Sequence, residues 1–116
     1  MVYSWRMILR NLKNNQVICE DLKFCRSFWD RSLGLINPGN PRNLMFKTRF
    51  GVHTFFLKQD IDLLILNNKK QVVKLKQNLK PWRMFFWNPS YSNVLELEEG
   101  SILKFRVAIG DTLSIN

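Results

Sequence analysis

The sequence predicts a mainly β domain of α+β type: a compact antiparallel sheet, barrel-like or sandwich-like, with one helix near the N-terminal side. Three observations lead there. Short runs alternate apolar with polar residues, as in "VVKLKQNL" and "VLELEEG". Pro, Gly and Asn clusters separate those runs at short intervals. One segment, Asp21 to Leu33, repeats apolar residues at helical spacing, with Leu22, Cys25, Phe28, Trp29 and Leu33 on one face and Lys23, Arg26, Ser27, Asp30 and Arg31 mostly opposite.

Each element has a local reason. Asp21 suits a helix N-cap and Gly34 the C′ position, and "INPGNPRN" after it is a loop. "NLMFKTRF" and "VHTFFLKQ" read as strands. "IDLLILNNKKQVVKLKQNL" reads as two strands joined at "NNKK", where Asn tolerates the left-handed conformation of a tight turn. In the second of these strands Val73, Leu75 and Leu79 alternate with Lys74, Lys76 and Lys80, a half-buried strand with a basic outer face. "PWRMFFWNPSY" breaks the pattern with two prolines. "SNVLELEEG" resumes it, with Leu95 and Leu97 pointing one way and Glu96 and Glu98 the other. A turn or helical piece around Ser101 to Arg106 leads to a closing strand at "IGDTLSI".

The chain has 116 residues and is 46% hydrophobic, enough for one core and one domain spanning 1–116, with 1–20 an N-terminal strand or extension. Nine Phe and four Trp predict a core with much aromatic volume. The formal charge of +9 biases partners towards nucleic acid, anionic lipid or other anionic ligands, although a composition rich in Asn, Lys, Ile and Phe can carry such a charge through codon usage alone. Cys19 and Cys25 read as free thiols in a reducing compartment. Arg6 and Arg10 interrupt any apolar leader and no apolar run reaches spanning length, so a cytoplasmic protein without a transmembrane segment is expected.

Five pieces stand in a recognisable order: "SLGL" at 32–35, "VHTFFLKQDIDLLIL" at 52–66, "LKPWR" at 79–83, "VLELEEG" at 94–100 and "IGDTL" at 109–113. On these the chain, from about 21 to 115, resembles the domain of unknown function 192 family, also called uncharacterised protein family 0127. It departs from the family pattern at Leu57, where Met is usual, at Lys58, Gln59 and Asp60, where Arg-Phe-Pro is common, and at Glu98 and Glu99, where a Pro-Ala pair precedes the glycine. The resemblance implies a compact, mainly antiparallel β domain with a helix near its N-terminal side, and no particular activity.

Candidate chemistry is sparse. His53 and Asp62 are the candidate catalytic pair, with imidazole as a general base near neutrality. The alternative is that His53 ties a sheet edge by hydrogen bonds. A buried Asp62 must be paired or accept several hydrogen bonds, with Arg83, Lys58 or His53 as expected partners. Thr54, Lys58, Trp82, Arg83 and Glu96 complete a candidate ligand-binding set, in which Trp82 anchors in the core and Arg83 offers a planar fork to an anionic group or to Glu96. No cluster of zinc-ligand type, phosphate-cradling glycine loop or nucleophile elbow is present, so no metal or cofactor is expected.

The stretch 69–91 carries Lys69, Lys70, Lys74, Lys76, Lys80 and Arg83 without an acidic residue, followed by Phe85, Phe86, Trp87 and Tyr91. Cations beside aromatics are the ingredients of weak single-strand nucleic-acid binding or of membrane contact. They are also those of a solvated basic strand whose loop folds its rings back over the core. The leading expectation is a non-enzymatic binding or accessory module near His53, Asp62, Trp82 and Arg83. The alternatives are a His53/Asp62 acid/base enzyme and nonspecific nucleic-acid binding through 69–91.

Overall fold

The computed structural model describes residues 6–25, 43–49, 51–55 and 57–116. Its elements are β1 (Met7–Asn11), β2 (Gln16–Phe24), β3 (Leu44–Lys47), β4 (Gly51–His53), β5 (Ile61–Leu66), β6 (Val72–Leu79), β7 (Met84–Phe86), β8 (Asn93–Glu98), α1 (Ser101–Lys104) and β9 (Leu113–Ile115). Seven strands form one sheet in the order β6-β5-β8-β3-β2-β1-β9, and β4 pairs with β7 as a separate ribbon. The pairs are antiparallel except β2 with β3, where Lys23 faces Leu44. The sheet curls until its ends meet at a Gln71–Thr112 bridge, which gives a half-barrel.

Strand β5 shows how the two halves of the core arise. All six of its residues are buried, and alternation sends them to opposite faces. Leu64 and Leu66 join Leu9, Leu22, Leu95, Leu97, Ile102 and Leu113 on the concave side. Ile61, Leu63 and Ile65 join Leu44, Phe46, Val52, Leu79, Trp87 and Val94 on the other, which the β4–β7 ribbon covers. Among the described residues this core is aliphatic, with Phe46 and Trp87 its buried aromatics, rather than the aromatic core that composition suggests.

Three local expectations change. Asp21 is not a helix cap: residues 21–24 end strand β2, held extended by the pairs Met7–Leu22 and Phe24–Met45. The rest of the expected helix, from Arg26 to Leu33, lies outside the described residues, as does Gly34. The described helix is α1, within the turn or helical piece expected around 101–106. The tertiary ladder overrides a short helical period here, because two neighbouring strands satisfy the backbone that a helix would satisfy internally. The strand expected over 52–59 stops at His53, where the Leu57 N–H closes a turn onto the Thr54 carbonyl at 3.2 Å. In the β5–β6 turn it is Lys70 that takes the left-handed conformation, at φ 61°. Asn67 holds that turn instead, its Oδ1 accepting the N–H groups of Lys69 at 2.9 Å and Gln71 at 3.0 Å.

Truncating Leu64, which is fully buried, removes concave-side packing at the middle of the sheet. Leu64→Ala is expected to cost about 2–5 kcal/mol in urea unfolding, whereas Leu103→Ala on the exposed side of α1 should stay within about 0.5 kcal/mol.

Candidate functional site

Asp62 lies at an irregularity of the β5–β6 ladder, between the pairs Ile61–Leu79 and Leu63–Lys76. It is fully buried. Its Oδ1 accepts the N–H of Asn78 at 3.0 Å, and Asn78 takes a positive φ of 53° at the bulge. Its Oδ2 accepts the N–H of Ile102 at 2.8 Å. Helix α1 begins after Gly100, which offers no side-chain cap, so Asp62 supplies the acceptor from a distant strand. The buried carboxylate is thus satisfied by two backbone amides, not by Arg83, Lys58 or His53, the partners expected for it.

Thr54 is also an internal fitting. It is fully buried; its hydroxyl donates to the Lys80 carbonyl at 2.6 Å and accepts the Arg83 N–H at 2.9 Å. Its carbonyl accepts the Trp82 N–H at 3.0 Å, and its own N–H donates to the Arg83 carbonyl at 2.9 Å. One threonine therefore clamps the whole 80–83 loop. That clamp fixes Trp82 at a φ of 62° and leaves its ring 55% exposed, outside the core rather than anchored within it.

His53 faces outward from the ribbon. Val52 beside it packs against Ile61, Leu63 and Ile65, so alternation turns His53 the other way. Its ring stacks on Phe55 at 4.9 Å between centroids, and Phe55 stacks on Trp82 at 5.8 Å. Asp62 pairs with Leu97 on the concave face of the sheet. The two candidate catalytic residues therefore occupy opposite sides of β5. Arg83 is exposed, and its Nη1 donates to the Trp82 carbonyl at 3.4 Å. Glu96 does not point to solvent as its alternation with Leu95 suggests: it is fully buried between Leu44 and Leu63, because β8 is central and covered on both faces.

The basic-aromatic stretch divides by parity. Phe85 is half-buried and Trp87 is 6% exposed, its Nε1 donating to the Tyr91 carbonyl at 2.8 Å; Trp87 thus belongs to the core and not to the partner surface expected of it. Met84 and Phe86 face out, each 57% exposed. Gly51 lies opposite Phe86, and a Cβ there would come within 2.7 Å of the Phe86 ring and 2.5 Å of the Phe85 carbonyl. The Lys74 ammonium donates to the Phe86 carbonyl at 2.9 Å and sits 4.8 Å from the Phe85 ring centroid. Lys69, Lys70, Lys76 and Lys80 are exposed, with Lys80 3.7 Å from Asp60. Met84 and Phe55 do not stand out in the sequence; the signal available is the period of two in "WRMFFW".

A separate open cleft of about 540 Å³ is lined by Lys58, Gln59, Asp60, Glu98 and Glu99. Three carboxylates against one ammonium make it a poor receptor for an anion. Among the described residues, no group of three or more His, Cys, Asp or Glu is placed to hold a metal ion.

The comparisons with known proteins bear on the whole chain. The family model DUF192, described as "Uncharacterized ACR", matches residues 9–115. The chain belongs to this family. A UPF0127 protein of Pyrococcus furiosus is 32% identical over 112 residues, covering 91% of this chain and 96% of the relative. One from Pyrococcus abyssi is 33% identical over 91 residues, covering 73% and 77%. A crystal structure from Sinorhizobium meliloti, described as that of a candidate transcription regulator, superposes with a TM-score of 0.80 at 16% identity, covering 99% of this chain and 96% of that one. At that identity the likeness is one of fold.

Asp62→Asn keeps one acceptor but sets an N–H donor against one of the two backbone amides. The variant is expected to lose about 2–4 kcal/mol in urea unfolding; a loss under about 0.5 kcal/mol would show that the amides find other partners.

Another buried carboxylate, Asp111, closes the barrel end. Burial alone pushes its pKa up, but the Asn11 amide at 2.9 Å, the Ala108 N–H at 2.9 Å and the Lys13 ammonium at 3.7 Å outweigh burial and hold the pKa below the ordinary value. A depressed folded-state pKa contributes stability that is present above the unfolded value, near 4, and is lost as pH falls through the folded one. The melting-temperature gap between the wild type and Asp111→Asn should therefore be widest above about pH 5 and shrink below about pH 4. A gap that stays constant with pH would refute this assignment.

Proposed function

We propose that this chain is a binding module whose contact surface is the outer face of the β4–β7 ribbon. The observation that carries the reading is the row in sequence of Trp82, Met84 and Phe86, each more than half exposed; Met84 and Phe86 lie on β7 and Trp82 in the turn that leads into it, beside ribbon residues Val52, Phe85 and Trp87 that pack against the core. A solvent-facing surface has no folding reason to line up three large apolar side chains, and such a row is a recurrent mark of interaction sites. Lys74 reaches the ribbon at the Phe86 carbonyl, and Arg83 next to Trp82 is exposed, which suits an anionic partner. His53 and Phe55 serve as backing for the row, while Asp62 and Thr54 shape the scaffold that holds it.

Methyl-labelled methionine reports on this surface whatever the chemistry of the partner. Heparin oligosaccharide, an oligonucleotide and phosphatidylglycerol-containing nanodiscs are titrated in turn. At least one should shift the Met84 methyl resonance while that of Met45, half-buried in the sheet, stays in place. If none moves Met84 selectively, the reading falls.

A further inference from the structure

Resting on the ribbon reading, we propose that the partner is single-stranded nucleic acid, with Trp82 and Phe86 as base-stacking platforms and Lys74, Lys76 and Arg83 facing the phosphates. The rings are presented as supported planes. Trp82 is stacked on Phe55 with 26° between planes, Phe55 is stacked in turn on His53 at 27°, and Trp82 keeps 55% of its surface exposed. Phe86 lies across Gly51, where no side chain lifts it from the ribbon, and is 57% exposed. A ring already held flat from behind loses little freedom when a base covers its other side. The two are four residues apart in the chain, which bounds their Cα separation at ~13 Å, room for a base on each ring.

The charge lies beside the rings. From 69 to 91 the chain has no acidic residue, and Lys74 is drawn onto the ribbon by the Phe86 carbonyl and the Phe85 ring. Lys76, one strand alternation further, and Arg83, next to Trp82 in the chain, are exposed. Lys80, in the same stretch, lies 3.7 Å from Asp60. Cations tracking a backbone beside stacking rings are the features of sequence-tolerant single-strand binding.

Two other anionic partners fit less well. A duplex keeps its bases stacked internally and offers none to the rings. A membrane contact calls for apolar side chains projecting into the headgroup layer. Here the Thr54 clamp ties 80–83 down to the body through hydrogen bonds of 2.6 and 2.9 Å, and the row lies along the ribbon.

Fluorescence anisotropy with labelled dT20 and U20 tests the proposal, using the whole chain. Saturable binding is expected, weakening log-linearly with salt at a slope of about −0.7 per phosphate contacted. Trp82→Ala and Phe86→Ala should each weaken it roughly five- to a hundredfold, with melting temperatures kept near that of the wild type, while Leu103→Ala leaves binding unchanged. Binding that prefers a duplex of equal length, or that ignores both ring variants, overturns the proposal. Absence of oligonucleotide binding together with ring-dependent binding to phosphatidylglycerol vesicles overturns the nucleic-acid assignment and leaves the ribbon reading standing. No ring-dependent binding to any of these probes overturns both.

Discussion

The architecture turns on one buried carboxylate. Asp62 joins a strand bulge to the start of α1 through two backbone amides, at 3.0 and 2.8 Å. Without it, the first turn of a four-residue helix would bury an unsatisfied Ile102 N–H, and the Asn78 bulge would lose the acceptor of its N–H. Such a short helix cannot hold itself together by propensity. It persists because its N-terminus is anchored and because Ile102 fills the concave side of the sheet beside Leu64, Leu66 and Leu97. One carboxyl side chain thereby couples the β5–β6 hairpin to the segment that closes the half-barrel.

Thr54 plays the corresponding part on the opposite face. Its hydroxyl and backbone groups draw the Lys80 to Arg83 loop against the end of β4. With the loop's position fixed, the alternation of β7 decides which side chains enter the core and which remain outside. Phe85 and Trp87 go in, and Met84 and Phe86 come out. Gly51 completes the ribbon by leaving room for the Phe86 ring. The polar residues Asp62 and Thr54 thus tie the scaffold together, and the side chains that β7 leaves outside are apolar.

The β character was legible because alternation and turn residues are local signals: the lysine-bearing β6, the α1 turn and the closing β9 all follow from a few neighbouring residues. Asp21 misled because Leu22 and Cys25 satisfy a helical and an extended reading equally well over so short a span. Glu96 misled for another reason. Alternation assigns it a face but does not say that both faces of β8 are covered. Trp82 and Trp87 exchanged their expected places, since no local pattern shows at which residue the loop re-enters the ribbon.

By itself, then, the sequence determined the strand-rich class, the turns, the basic 69–91 stretch and membership of DUF192. These depend on residue type and short-range periodicity, which every conformation of the chain carries. Only the tertiary structure decided that Asp62 and His53 lie on opposite sides of β5, that Thr54 is a clamp, and that Trp82, Met84 and Phe86 are each more than half exposed. Those facts depend on which strand covers which face and on where a bulge or clamp resets the alternation, and both are set by pairings between residues far apart in the chain.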